Sequence, residues 1–367
     1  MTSMQNPEII LFHYRFSPFA KRYMLSIIYP SISIIFPSHP IPPHPFKPHF
    51  LTPQRITWYL TLRGIPYSEC LQGPTMPRPD IQALGTQYRR IPIVSIGRDI
   101  YHDTRLILRK LEELFPDYPK ISGASTEQVG IEKLLEIWTV DGLFVRAAQL
   151  LPLDLPLLGD KKFTSDREDY TGKSWERGNL EKARPEALAA FKGAFEVLEN
   201  GLLGDGRDWI LGSERPTLAD IEAVWPFHWL INLPGALPAH YISARQFPQT
   251  FAWISRFDQA TRLAAKKLPR PKVLSGAEVL GKVTASDFGE KGEHVDSQDP
   301  TGLQKGQEVE VWPIDTGMSR RDRGVLVGLS TKEIVIESQT KEGVKVKIHT
   351  PRHGFRIRGV GGTGSRL

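Results

Sequence analysis

Two hydroxyl side chains near the start of the chain could stabilise a reactive anion, because they lie where an apolar strand gives way to a helix. Ser17 directly precedes Pro18, and proline is favoured at the first position of a helix. The Oγ of Ser17 and the unpaired backbone amides of that helix could therefore converge on one anion. The alternative is an ordinary N-cap, since serine is a preferred capping residue. Tyr14, at the end of the strand, is the second candidate, with simple packing as its alternative role.

Two further pairs of residues could bind a ligand through backbone and short polar groups. Asp103 and Thr104 begin the helix predicted over residues 104–115, where exposed amides attract a carboxylate and an aspartate attracts a cation; Asp103 could also simply cap this helix. Ile91 and Pro92 open a predicted strand. A proline at this position indicates an edge, a bend or a cis bond, although an isolated X-Pro motif favours the trans form.

Other kinds of chemistry find little support in the sequence. The single cysteine, Cys70, excludes an intramolecular disulfide framework and is typical of a small core residue. No metal site is predicted, because the histidines at 39, 44 and 49 lack nearby carboxylates. Trp225, Phe227 and Trp229 are predicted to be core residues, with the alternative that one of them lines a substrate pocket.

The length and composition indicate a globular protein of two or three domains. The chain has 367 residues, of which 40% are hydrophobic and 24% charged, so it can bury substantial cores. Its first residues lack the charged and apolar pattern of a secretory signal, and the longest apolar stretch is interrupted by Pro30. We therefore expect a cytoplasmic protein without membrane contact.

Residues 23–55 read as an insertion into a helix. Residues 23–54 contain eight prolines, one charged residue and no glycine, which favours extended backbone. Joining Arg22 directly to Ile56 restores helical spacing of apolar residues. Because long insertions usually enter at loop tips and not within helices, one hypothesis is that these 33 codons are a retained intron.

Four regions are predicted beyond this insertion. Residues 8–120 alternate strands and helices, as in a layered α/β domain interrupted at 23–55, and residues 121–272 are predicted to be helical. Residues 281–300 are polar and acidic, and residues 273–300 are predicted to be a linker. Residues 301–360 contain five short alternating segments, which predict a small all-β barrel. From Thr301 onward, twelve Lys and Arg face seven Asp and Glu, so this region carries +5 of the formal charge of +6.

Four pieces of the sequence, in this order, resemble a glutathione transferase. They are the strand that ends at "SPFAKR", the proline in "RRIPIV", the polar pair "DT" that starts a helix, and "ILGSERPTLADI". The resemblance covers residues 8–265 and looks most like a fungal, serine-type member. It implies a thioredoxin-like N-terminal domain and an all-α C-terminal domain, to which the β barrel is added. In "PTLADI", Thr217 and Asp220 match the family's structural cap.

The resemblance also implies a function. It predicts an enzyme that activates the thiol of glutathione to conjugate or reduce small electrophiles, as in detoxification, with glutathione as cosubstrate and no other cofactor. Ser17, with Tyr14 as runner-up, would stabilise the thiolate. Ile91 and a cis Pro92 would pair with the cysteinyl part of glutathione, and Asp103 and Thr104 would hold its γ-glutamyl end. A homodimer is a further expectation.

Two alternatives remain open at this stage. One is a glutathione-transferase-like scaffold that assembles proteins without turnover. The other places the main function in the basic barrel, which could bind nucleic acid or an acidic partner through Arg320, Arg321, Arg323 and the arginines at 352, 356 and 358. Nucleic acid is disfavoured because Trp312 and Phe355 are the only aromatic residues interleaved with these charges.

Overall fold

The computed structural model describes residues 7–14 and 54–360. Its α-helices, in chain order, are α1 (Gln54–Arg63), α2 (Pro79–Gln82), α3 (Thr104–Leu114), α4 (Thr126–Ile137), α5 (Phe144–Gln149), α6 (Lys161–Thr171), α7 (Arg177–Glu196), α8 (Leu218–Ile231), α9 (Pro248–Ala265) and α10 (Gly276–Ala285). Its strands are β1 (Ile9–His13), β2 (Ser68–Leu71), β3 (Ile93–Ile96), β4 (Asp99–His102), β5 (Lys272–Val273), β6 (Glu308–Pro313), β7 (Asp322–Leu329), β8 (Glu333–Gln339), β9 (Lys345–Pro351) and β10 (Phe355–Gly359).

The N-terminal part forms a thioredoxin-like sheet, as predicted. Strand β1 lies between β2, with which it runs parallel, and β3, with which it runs antiparallel, and β4 completes the hairpin with β3. Because successive side chains of a strand point to opposite faces, Ile9 and Leu11 pack against the helices while Ile10 and Phe12 pack into a second core.

The helical region predicted after residue 120 is also confirmed. Helix α4 begins with a capping box in which Ser125 and Gln128 satisfy each other's backbone amides. A π-helical turn, Trp138–Leu143, continues it into α5, and α8 passes through the middle of the bundle with almost every residue buried. Among the described residues, no helix combines the length and hydropathy needed to cross a membrane.

The C-terminal β region is present with the five predicted strands, but it is part of the N-terminal sheet. The ten strands are ordered β10-β6-β7-β8-β9-β4-β3-β1-β2-β5, and β9 pairs in parallel with β4. Ile10 and Phe12 share one hydrophobic core with residues of the C-terminal strands such as Val311 and Ile348. Residues 301–360 therefore do not form a separate domain.

The predicted linker over residues 273–300 is wrong. This segment contains the end of β5 and the whole of α10, which begins with a capping box between Ser275 and Glu278. Val279 and Val283 of α10 are buried in the core that the two parts of the sheet share. The polar residues that suggested a linker lie mostly after Ala285, where α10 ends, and the apolar residues of α10 precede them.

Candidate functional site

A cleft opens where the N-terminal sheet, the helical region and the C-terminal strands meet. Its described lining from the N-terminal part comprises Arg55, Tyr88, Arg90, Ile91, Pro92, Asp103 and Thr104. The helical region contributes Val140, Phe144, Tyr170, Trp225 and Trp229, and the C-terminal region contributes Asp315 and Thr316. Four residues predicted from sequence to bind glutathione, Ile91, Pro92, Asp103 and Thr104, thus lie in a single cleft.

The peptide bond between Ile91 and Pro92 is cis, the form that the resemblance implied. Pro92 is buried directly before β3 begins at Ile93, while Ile91 is half-buried at the cleft. The preceding residue, Arg90, reaches over the same part of the cleft and is largely buried.

Asp103 stands in a backbone conformation that side-chain-bearing residues rarely adopt. Its φ angle is 67°, and aspartate is among the few residues that tolerate the left-handed region. Its Oδ1 accepts a hydrogen bond from the backbone amide of Arg105 at 3.1 Å, which caps α3. A strained backbone of this kind costs about 1–3 kcal/mol and is found mainly at functional sites. The conformation is therefore consistent with a binding role for Asp103 in addition to its role as the helix cap.

Arg55 is a buried cation at the base of the cleft that the sequence reasoning missed. Its side chain forms an ion pair with Glu222 of α8, and its guanidinium lies 5.9 Å from the centre of the Trp225 ring. Burial lowers the pKa of Arg55 to about 10, so it remains charged at neutral pH. This pair joins the first helix after the insertion to the middle of the helical region.

The wall opposite the polar residues is apolar and aromatic. Trp225 and Trp229 lie one helical turn apart on α8, and the ring of Phe144 lies 5.8 Å from Trp225 and 6.4 Å from Trp229. The Nε1 of Trp225 donates to Thr139 at 3.1 Å, while the buried Nε1 of Trp229 has no hydrogen-bond acceptor within the described ranges. Phe227, between them in sequence, is fully buried in the core.

The turn between β6 and β7 closes the third side of the cleft. Arg90 donates to the carbonyl of Thr316 from Nε at 3.2 Å and from Nη2 at 2.7 Å, and it forms an ion pair with Asp315. The amide of Gly317 donates to the carbonyl of Tyr170 at 2.7 Å, which ties this turn to α6 as well. The C-terminal strands therefore help to shape the site.

The two hydroxyl candidates have different outcomes. Ser17 lies outside the described residues, as do residues 23–53 of the predicted insertion. Gln54 and Arg55, which the prediction assigned to the insertion, belong to α1 instead. Tyr14 is half-buried and lies directly after β1. Tyr14 is not among the described residues that line the cleft.

Thr217 and Asp220 form a reciprocal cap at the start of α8. Asp220 Oδ2 accepts from the backbone amide and the hydroxyl of Thr217, both at 2.9 Å. Asp220 Oδ1 accepts from the amide of Ile210 at 3.0 Å and from Nε1 of Trp253 at 2.9 Å. Burial raises the pKa of Asp220 against the opposing effect of these hydrogen bonds. The cap does not line the cleft, but it stabilises the start of α8, the helix that carries the two tryptophans of the aromatic wall.

Two other groups could be mistaken for sites. Cys70 is buried, and burial together with Asp80 raises the pKa of its thiol to about 12, so it is not a nucleophile. Glu290, Glu333 and His349 converge as metal ligands could. However, the Nζ of Lys110 lies 2.6 Å from Glu290 and 2.8 Å from Glu333, so a lysine already supplies the positive charge there.

The arginines of the C-terminal region are partly neutralised. Glu310 pairs with Arg321 at 3.1 Å and with Arg323 at 2.6 Å. Arg321 also lies 4.4 Å from the centre of the Trp312 ring, and Arg356 lies 6.0 Å from it. Because Trp312 is covered and only 6% exposed, it does not offer a stacking surface for a base.

Comparison with known proteins agrees with this architecture. Residues 52–119 match the family model described as "Glutathione S-transferase, N-terminal domain", and residues 146–266 match a "Domain of unknown function (DUF7962)". A glutathione-transferase-like protein from Pseudomonas syringae aligns with a TM-score of 0.65 and 21% identity over 96% of this chain and 100% of its own. The chain has a glutathione-transferase-like fold. The first family match begins at residue 52, within the last four residues of the predicted insertion over 23–55.

Other solved structures with this glutathione-transferase-like fold align less closely. Rice GST1 in complex with glutathione shares 14% identity with a TM-score of 0.46, covering 76% of this chain and 97% of its own. A glutathione transferase from Methylobacterium radiotolerans, in complex with glutathione sulfonate, shares 16% identity with a TM-score of 0.43, covering 73% and 96%. No curated protein sequence matches the chain. The Pseudomonas match spans nearly the whole chain and so extends into the C-terminal strands.

The sequence reasoning missed the two arginines, the two tyrosines and Asp315 of this cleft. For Arg90 a signal existed, because it directly precedes Ile91 and Pro92. For Tyr88, Tyr170 and the turn at Asp315, no local pattern pointed to the cleft, since the segments that carry them come together only in the folded chain.

Proposed function

We propose that the protein binds glutathione in this cleft and activates its thiol for the conjugation or reduction of small electrophiles. The observation that carries the proposal is the convergence of Ile91, cis Pro92, Asp103 and Thr104 on one side of a cleft whose other side is aromatic. The match of residues 52–119 to the glutathione transferase N-terminal domain, and the rice and Methylobacterium structures that hold glutathione or its sulfonate, support it.

The polar side of the cleft suits the ends of a γ-glutamyl tripeptide. The carboxylate of Asp103 can take the ligand's ammonium group, and Thr104, at the first position of α3, lies where helix amides favour a carboxylate. Ile91 can offer backbone groups to the cysteinyl part, directly before the cis bond.

In this mechanism Ser17 donates a hydrogen bond to the thiolate and so favours the ionised form near neutral pH. Tyr14 is the runner-up for this role. No general base is required, because lowering the thiol pKa is sufficient to generate the nucleophile. We further propose that the protein is a serine-type member of fungal kind that detoxifies electrophiles in the cytoplasm, where glutathione is the main thiol buffer.

The apolar wall suits the second substrate. Trp225, Trp229 and Phe144 offer flat surfaces on which an aromatic or unsaturated electrophile can stack beside the thiolate. The buried Nε1 of Trp229 could donate to a polar atom of that substrate. This wall makes an enzyme more plausible than a scaffold that only binds proteins.

Retention on immobilised glutathione, followed by a conjugation assay, tests the proposal. We expect Ser17→Ala to lower kcat about 10²-fold, as for the loss of one donor to a developing anion, while glutathione is still bound. Tyr14→Phe distinguishes the two candidates: it should change kcat little if Ser17 stabilises the thiolate, and a loss of kcat in Tyr14→Phe but not in Ser17→Ala would assign the role to Tyr14. A protein that binds glutathione without turnover would support the scaffold alternative, and a protein that does not bind glutathione would contradict the proposed function.

A further inference from the structure

We propose that the C-terminal strands complete the glutathione site through Asp315, which holds Arg90 away from Asp103 and so leaves Asp103 available to the ammonium group of the ligand. This inference rests on the proposed function and adds a positioning residue from a part of the chain that neither family-model match reaches.

Asp103 has one oxygen that is only loosely engaged. Its Oδ1 accepts from the backbone amide of Arg105 at 3.1 Å as part of the helix cap. Its Oδ2 has longer contacts, 3.5 Å from the hydroxyl of Tyr88 and 3.7 Å from Nη1 of Arg90. A charged hydrogen bond to a carboxylate is normally 2.7–2.9 Å long, so among the described residues this oxygen has no close cationic partner.

Two of the arginines around Asp103 are paired elsewhere. Arg55 forms its ion pair with Glu222, and Arg105 directs its guanidinium to Asp141. Both act on Asp103 only through longer-range electrostatics. Neither therefore occupies the Oδ2 of Asp103.

The third arginine, Arg90, is held by the turn between β6 and β7. Its Nη2 pairs with Asp315, and both Nη2 and Nε donate to the carbonyl of Thr316. Burial alone would lower the pKa of Arg90, but the surrounding acidic groups, including Tyr88, Asp315 and Asp103, raise it. Arg90 is therefore a permanent cation within reach of the carboxylates of Asp103 and Asp315. Its ion pair with Asp315 keeps it from pairing closely with Asp103.

The consequence for the ligand follows from charge. If Asp315 loses its charge, Asp103 becomes the one ionic partner of Arg90 within the part of the chain that the structure describes, and Arg90 can close the gap of 3.7 Å. Arg90 would then compete with the ligand's ammonium group for the same carboxylate, and the local potential would become less negative. Affinity should fall for a ligand that carries the ammonium group and should be unaffected for one that lacks it.

Asp315 itself is more than half exposed, which keeps the test simple. Its side chain is 57% exposed, whereas that of Arg90 is 15% exposed, so Asp315→Asn should not disturb packing. An exposed ion pair contributes little to overall stability, and the free energy of unfolding should stay close to that of the wild type. The effect is expected on ligand choice and not on folding.

Calorimetry on the full chain tests the inference with two ligands, glutathione and its analogue without the α-amino group. We expect Asp315→Asn to raise the Kd for glutathione about tenfold and to leave the Kd for the analogue unchanged. The matched control is Asp287→Asn, because Asp287 is a fully exposed acidic residue that does not line the cleft. It should change neither Kd.

The outcomes separate this inference from the proposed function. If the wild type binds glutathione and Asp315→Asn binds it equally well, or weakens both ligands to the same extent, Asp315 has no such role and the inference is wrong. If the wild type binds no glutathione, the proposed function fails and the inference fails with it. A tenfold loss confined to glutathione supports both.

Discussion

The imidazole of His349 lies 2.9 Å from the carboxylate of Asp99, and both side chains are fully buried. Asp99 begins β4 and His349 belongs to β9, so the pair bridges the ladder that joins the C-terminal strands to the thioredoxin-like sheet. The other ring nitrogen lies 3.1 Å from Glu333. Burial would lower the pKa of His349, but its hydrogen bonds to Asp99 and Glu333 raise it above the ordinary value. The junction of the two parts of the sheet is therefore ionic.

Replacing His349 with glutamine should destabilise the protein by about 3–5 kcal/mol near pH 6, because it leaves the buried charge of Asp99 without its partner. Since the folded-state pKa of His349 is raised, its stabilising effect is fully present below about 6.5 and is lost as the pH rises through the folded-state value. Urea unfolding of wild type and His349→Gln should therefore give a difference that shrinks at higher pH. His353→Gln, at a half-exposed histidine that pairs with Asp141, is the control. A pH-independent difference would contradict the assignment.

Asp322 should make stability fall as the pH rises from about 4 to 6. Burial raises its pKa to about 6, although hydrogen bonds from Thr86 and Gln87 oppose the shift. The folded state thus binds a proton that the unfolded state, with a pKa of about 3.9, has released. His102 beside it has a pKa lowered to about 3, mainly by burial, and stays neutral in this window.

The measurement is the free energy of unfolding of wild type and Asp322→Asn at several pH values. Relative to the variant, the wild type should lose up to about 1.4 kcal/mol per pH unit between pH 4 and 6. Asp287→Asn retains Asp322, so its free energy of unfolding should follow that of the wild type across this window. If wild type and Asp322→Asn run in parallel across the window, Asp322 is not protonated in the folded protein.

Asp220→Ala should cost about 3–5 kcal/mol, because it leaves the buried donors of Ile210, Thr217 and Trp253 unpaired. The matched control is Ser275→Ala in the exposed capping box of α10, for which we expect about 1 kcal/mol. Chemical denaturation of both variants makes the comparison. Similar costs at the two positions would show that the cap of α8 acts only locally.

A chain that lacks residues 23–55 should turn over glutathione faster than the full-length chain. The insertion begins six residues after Ser17, and an error of about 1 Å at the thiolate can cost on the order of 10²-fold in rate. Removal places Arg22 directly before Ile56, where Arg55 stands in the full chain, so the ion pair with Glu222 should be retained. Steady-state kinetics on both forms test this prediction.

The shortened chain with Arg22→Ala is the control for the buried ion pair. It should be less stable than the shortened chain with arginine, because Glu222 would remain buried without its partner. Equal turnover by the full-length and shortened chains would mean that the helix tolerates the insertion.

Local signals in the sequence predicted local structure well. The cap at Thr217 was visible because Asp220, its partner, lies three residues later in the sequence. The cleft residues Ile91, Pro92, Asp103 and Thr104 were found because a proline and a helix start mark them. Trp225 and Trp229 were considered for the pocket as an alternative to the core, and both line it.

Distant pairings could not be predicted in this way. Arg55 and Glu222 are 167 residues apart in sequence, and Arg90 and Asp315 are 225 residues apart. The pairing of β4 with β9 depends likewise on the folded topology and not on any local pattern. A single charged residue carries no information about its partner in the folded chain. In the same way, the sequence of a strand does not name the strand with which it pairs, and the prediction was a separate barrel where the structure has one continuous sheet.

The shared sheet has a consequence for synthesis of the protein. When a ribosome has made the first three hundred residues, β4 has no β9 to pair with. The apolar side chains of Ile10 and Phe12 also lack the C-terminal strands against which they pack in the folded protein. A nascent chain in this state exposes an unpaired strand edge and an apolar surface, both of which promote aggregation. The N-terminal part of the sheet can finish folding only after β9 has been synthesised, and premature termination near residue 300 should yield insoluble material.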